Sequence, residues 1–234
     1  MSTTSDFGLL EAKIKAIPAK NVTLPEIPVD VANTEAEALY HVALADKKEL
    51  TARGLSMETI SLLPTAAGAC RFAEANWNNQ RDAKQEAEIK WKEQSPEAFA
   101  LRNELVDEFE FAFTGNSSLL TILNRIKDDT GNADMIQDLM DLSVLGKDNK
   151  KTLALTHFDV TKLDKAEELA DAMAKLLGIA NGSKNDNNAA KLLRDQAYTF
   201  MKQQVDEVRR YGKFVFRADP AHAAKYASEY KRSQ

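Results

Sequence analysis

One cysteine, three histidines, six prolines and nine glycines in 234 residues leave this sequence short of what several protein classes are built from. The lone Cys70 cannot close an intramolecular disulfide or join a multi-cysteine zinc cluster. Its neighbours Ala66, Ala67, Ala69 and Ala73 mark it instead as a small buried side chain. So little glycine and proline leaves scant turn material for the many short strands of an all-β fold. No stretch approaches ~18 consecutive apolar residues, so no membrane-spanning helix is expected. The start, Met1 to Phe7, has neither a basic n-region nor an apolar h-region; with the single cysteine, this sets the expected location as cytoplasmic. There is no Gly-x-Ser-x-Gly elbow, no phosphate loop and no Gly-x-Gly-x-x-Gly turn. A net charge of −5 and a pI near 5.4 argue against a general nucleic-acid coat.

What is present is helical periodicity. With 44% hydrophobic and 29% charged residues the chain can bury a real core, and its length favours one domain. The organising stretch is Ala133–Leu145, bracketed by Gly131 and Gly146 with Asn132 as its cap. Apolar residues cover most of its circumference and leave Asp134, Gln137, Asp138 and Asp141 as a polar strip. Such a helix belongs inside a protein, here between two longer helical halves. Residues 1–24 read as an N-terminal arm with a short helix near Phe7 to Ile17. Residues 25–218 read as a single helical-bundle domain, and 219–234 as a short C-terminal helix and tail.

Within the bundle, a helix is expected from Asp30 to Arg53, with a seam of Val29, Ala32, Ala36, Leu39, Ala43, Asp46 and Leu50 at 3-4 spacing. A second runs from Ser56 to Gln94, kinked at Pro64. Ser95-Pro96-Glu97 reads as a fresh helix start, leading to about Thr114. A short helix over Ser118–Asp128 and the central helix follow, then a loop at 147–158. Helices over 161–180 and 188–217 are separated by a loop at Asn181–Asn188. The expected fold class is therefore all-α, an antiparallel helical bundle of two long helix hairpins around a central helical insert.

Candidate chemistry is thin. Glu37 and His41, at i and i+4, have the spacing to share a metal, with Asp138 of the central strip as a further ligand candidate. The competing readings are structural histidines and a salt bridge from Asp138 to Arg102 or Arg125, and these are preferred. Catalytic residues, cofactors and a metal are accordingly set at none. Ala83, Ala87 and Trp91 form a thin apolar line in a polar stretch, a plausible anchor for a partner or a second copy of the chain. Trp77 is expected at the core's edge. Residues 205–234 hold seven basic and four acidic side chains, interleaved with Tyr211, Phe214, Phe216, Tyr226 and Tyr230. Arg209, Arg210 and Lys213 of this tail complete the candidate interaction surface. Basic residues among aromatics could grip single-stranded nucleic acid, although cations at a helix C-terminus more often answer the dipole.

The run Ala133-Asp134-Met135-Ile136-Gln137-Asp138-Leu139 through Leu145-Gly146, and the ending Tyr211-Gly212-Lys213-Phe214 to Asp219-Pro220, resemble an uncharacterised family of all-helical bacterial hypothetical proteins. The resemblance covers most of the chain. It implies a bacterial source and an all-helical fold, with no activity, cofactor or site residue to carry over. The functional expectation is a non-enzymatic structural or protein-interaction module that self-associates. The alternatives are a helical metal or small-ligand protein and a single-strand binder.

Overall fold

The computed structural model describes residues 3–234, the side chains of residues 183–187 excepted; the part of the N-terminal reading that rests on Met1 and Ser2 lies outside the described residues. The fold is all-α: 82% of the chain is helical, with no strand among the described residues. Among the described residues, no helix is long and apolar enough to cross a membrane. The chain divides into two compact units: unit 1 is Met1–Arg81 with Asn185–Gln234, and unit 2 is Asp82–Lys184. The 25–218 span expected as one domain contributes to both.

Unit 1 contains α1 (Thr3–Lys15), α2 (Val29–Ala45), α3 (Lys47–Ala52), the first part of α4 (Met57–Ala112), the last part of α8 (Thr161–Val215), α9 (Pro220–Ala224) and α10 (Glu229–Arg232). The small-residue seam on α2 is buried as its spacing predicts: Ala36 and Ala43 have no exposed surface and Leu39 almost none. The long first helix instead stops at Ala45 and restarts at Lys47, with Asp46 off helical geometry between them (φ −96°, ψ 15°). Cys70, Ile60, Leu63 and Ala67 fill the same core from α4.

The terminal segments differ from a loose arm and tail. Phe7, Leu10 and Ile14 are buried in this core, as is Tyr226. Thr23–Pro28 is non-helical, as its prolines require, but bends at Glu26 and Ile27; it is tied to α8, where Thr199 Oγ1 accepts from the Thr23 amide at 2.9 Å.

Unit 2 holds the rest of α4, α5 (Ser117–Ile126), α6 (Asn132–Asp148), α7 (Lys150–Ala154) and the first part of α8. The stretch Ala133–Leu145 is indeed the helix α6, but its core is that of unit 2 alone: Met135, Leu139 and Leu142 pack among Leu105, Phe109, Leu123, Leu163 and Met173. Its start is secured by Asp134, whose carboxylate accepts from the Gly131 amide at 2.7 Å, rather than by Asn132. Gly146 lies within the helix and does not end it. A Cβ there would stand 2.5 Å from Leu163 Cδ2 and 2.8 Å from Phe109 Cζ, so the residue is a packing gap.

Two expected breaks are absent and a third is shortened to residues 155–160. Ser95-Pro96 falls inside α4, because Ala87, Trp91, Ala98, Leu101 and Leu105 keep one apolar face on both sides of the proline. Burial of that face outweighs the roughly 3 kcal/mol that an interior proline costs a helix. Asn181–Asn188 lies within α8, its polar, loop-like composition notwithstanding; the side chains of 183–187 are outside the described ones. The stretch 147–158 contains the end of α6 and all of α7, pinned by buried Leu153.

Candidate functional site

The metal candidates are occupied by other work. Glu37 Oε1 accepts from Arg71 Nη2 at 2.9 Å, while His41 is exposed and sits edge-on to Tyr40. Among the described residues, no three His, Cys, Asp or Glu side chains are grouped to hold a metal. Asp138 is buried, and its Oδ2 accepts from Arg102 Nε at 2.8 Å and Nη2 at 2.6 Å. Burial raises its carboxyl above the usual range; the Arg102 hydrogen bonds and charge oppose that, and Asp134 and Asp141 add to it. The polar strip is thus a cap (Asp134), an ion pair (Asp138) and an acceptor for Gln137 (Asp141). Burial pushes the Cys70 thiol up to about 12, which leaves it inert as a nucleophile at neutral pH.

The Ala83, Ala87, Trp91 line is mostly covered. Ala87 is buried and Trp91 packs against the unit 2 core, so the exposed indole expected there is not found; only Ala83 faces solvent. Trp77 is half-buried, with the guanidinium of Arg194 4.2 Å and that of Arg81 4.9 Å from its ring centroid.

The basic residues of the C-terminal segment are brought together with partners the sequence reading did not include. Along α8 of unit 1, Tyr198, Met201, Val205 and Arg209 share one face by their 3-4 spacing. With Glu26 and Ile27, Ala32 and Glu35 of α2, and the Ala227–Arg232 segment, they line a cleft of about 510 Å³. Buried Met201, Val205 and Ala32, with half-buried Ile27, supply its apolar surface. Its charged lining is six cations (Lys202, Arg209, Arg210, Lys213, Lys231, Arg232) and three carboxylates (Glu26, Glu35, Asp206).

Each carboxylate has its own cation. Arg209 Nη2 donates to Glu35 at 2.7 Å, Lys231 pairs with Glu26, and Lys202 with Asp206. Burial acts to raise the Glu35 carboxyl, but hydrogen bonds from the Tyr230 amide, Arg209 and Ser228 prevail and hold it below the usual range. The Lys231 hydrogen bond likewise holds exposed Glu26 low. Arg210, Lys213 and Arg232 have no carboxylate partner among the described residues, although Arg210 also lies over the Tyr211 ring.

The segment that supplies Ser228 and Arg232 is clasped to the junction of α2 and α3. Tyr226 Oη donates to Asp46 Oδ2 at 2.6 Å, and His222 Nε2 lies 2.7 Å from the same oxygen. Phe216 stacks on His222 with centroids 3.8 Å apart. Burial, then the Asp46 hydrogen bond and charge, push the Tyr226 phenol strongly upward. Asp46 was visible as the one polar member of the α2 seam; its partners, some 180 residues away in sequence, were not. Glu35 carried no sequence signal of its own.

These contacts use most of the aromatic faces that a single strand would need. Tyr226 is fully buried, Phe216 is stacked, Tyr211 lies under Arg210 and Phe214 lies beneath Arg217; Tyr230 is half-buried. No family model, curated protein or solved structure matches the chain.

Proposed function

We propose that the protein is a non-enzymatic binding module of the cytoplasm whose working surface is the cationic cleft of unit 1, and that it captures an anionic partner there. The observation that carries the reading is the set Arg210, Lys213 and Arg232, three cations without carboxylate partners at the rim of an apolar-floored cleft. Charge partition supports it. Unit 1 holds 18 basic and 16 acidic residues, a balance of +2, whereas unit 2 holds 13 and 20, a balance of −7. An overall acidic chain therefore offers anions one local attractive field. The interaction surface moves accordingly from the Ala83/Ala87/Trp91 line to the Arg209/Arg210/Lys213 arm. Capture of nucleic acid by stacking is disfavoured by the engaged aromatic faces. Calorimetric titration with hexaglutamate and with inorganic pyrophosphate at low and high salt tests the reading. At least one should bind at low salt, and Arg210→Gln/Lys213→Gln should abolish it while Lys175→Gln leaves it intact. Absence of binding by both anions, or equal loss in Lys175→Gln, refutes it.

A further inference from the structure

We infer that the cleft is a site for a small phosphate ester carrying an apolar group, its phosphate held by Arg210, Lys213 and Arg232 and its apolar body laid on Met201, Val205 and Ile27. The inference rests on the anion-capturing reading above and names the ligand.

The cleft's own carboxylates are matched one to one, so the cations left over set the charge the ligand must bring. Two of the three, Arg210 and Lys213, stand one turn apart on α8, where side-chain origins are ~5–6 Å apart. The third, Arg232, comes from a separate element, α10, in the same cleft. Carboxylates of an acidic peptide are strung along a backbone and present one charge each. A phosphate monoester gathers up to two charges and three terminal oxygens on one atom, so several cations can be answered at one point. Guanidinium forks suit phosphate oxygens bidentately, and lysine adds a point charge.

Two unmatched polar groups point the same way. Arg209 Nε is buried with no hydrogen-bond partner, on a side chain that lines the cleft. Tyr198 Oη accepts the Glu26 amide at 3.4 Å, and among the described residues no acceptor takes its own proton. A ligand oxygen supplies what such donors lack. The volume, about 510 Å³, falls within the ~300–1,000 Å³ typical of small-molecule sites. An inorganic anion alone would leave half-buried Ile27 and Ala227 against water; an organic group covers them, over a floor closed by buried Met201 and Val205, and methionine adapts to irregular shapes.

Phenyl phosphate, inorganic phosphate and hexaglutamate are the probes, titrated calorimetrically into the full chain, with ³¹P resonance shifts as a second readout. Phenyl phosphate is expected to bind about 10-fold tighter than inorganic phosphate, from burial of its ring. Arg232→Gln and Lys213→Gln should each weaken both phosphates about 10-fold, the loss of one charge-assisted contact. Met201→Ala should weaken phenyl phosphate and leave inorganic phosphate unchanged. The rim substitutions lie at exposed positions, and an unchanged urea midpoint shows that they fold. If hexaglutamate binds and the phosphates do not, the inference fails while the anion-capturing reading stands. If none of the three binds at low salt, both fail. Equal affinity for the two phosphates, insensitive to Met201→Ala, also overturns the inference.

Discussion

Alanine at position 212 would place its Cβ about 2.1 Å from Tyr226 Cδ1 and 2.2 Å from Cγ, inside the ring of a side chain with no exposed surface. Gly212 lies on α8, so its backbone cannot swing aside without breaking helical hydrogen bonds. The ring has to leave its seat. Losing full burial of a side chain this size costs about 1.5–3 kcal/mol, and losing its hydrogen bond to the Asp46 carboxylate a further ~1.5–3 kcal/mol. The better helix propensity of alanine returns about 1 kcal/mol. The expected net effect is a destabilisation of roughly 2–5 kcal/mol. Gly178, on the same helix, has no heavy atom within 4 Å of an added Cβ, so Gly178→Ala should stabilise by about 1 kcal/mol. Urea midpoints at constant m-value compare the two. Limited proteolysis after Lys225 should also accelerate in Gly212→Ala alone. If Gly212→Ala raises the midpoint alongside Gly178→Ala, the Tyr226 seat does not exist as described.

Leu139→Ala, at a side chain with no exposed surface in the unit 2 core, should cost about 2–5 kcal/mol in a urea titration. Arg102→Met strands the buried Asp138 carboxylate and should cost on the order of 3 kcal/mol, while Arg102→Met/Asp138→Leu recovers most of it; a double-mutant cycle measures the coupling. Glu35 is held below its ordinary value of 4.5, so its stabilising contribution is present above that pH and is lost as pH falls through the lowered value. Acid titration of the urea midpoint should therefore be steeper in the wild type than in Glu35→Gln, and identical slopes would contradict the Glu35 contacts.

Burial was legible wherever periodicity speaks for it. The α2 seam, the alanine-rich faces around Cys70 and the stripe from Leu163 to Met173 were all readable, because a period of 3.6 leaves a pattern in the residues themselves. Breaks were less legible. Ser95-Pro96 carries strong start chemistry, yet the apolar face running through it decides the outcome, and that face is a tertiary quantity. Asn181–Asn188 has the composition of a loop and no local apolar signal, so helix continuity there could not be read. At Asp46 the periodic seam hides a break, and the carboxylate there has partners, His222 and Tyr226, that lie far along the chain. The cationic arm was half legible. Arg209, Arg210 and Lys213 stood out as a charge anomaly, but which cations remain unpaired depends on Glu26 and Glu35, which only folding brings to them.

Unit 1 is assembled from two sequence segments separated by the whole of unit 2, and synthesis order gives this a temporal meaning. During translation, every residue of the unit 2 core through Met173 is made before Tyr226, the last core member of unit 1. The gap is roughly 50 residues, or about 3–10 s at ~5–20 residues per second. Until Ala197 to Val208 of α8 are made within that gap, Phe7, Leu10, Ile14 and the alanine faces of α2 and α4 exist without the α8 side chains of their core. The nascent chain thus carries an unshielded apolar surface at its leading end for seconds, which marks the interval in which a chaperone would engage it and in which a stalled ribosome would leave it prone to aggregate.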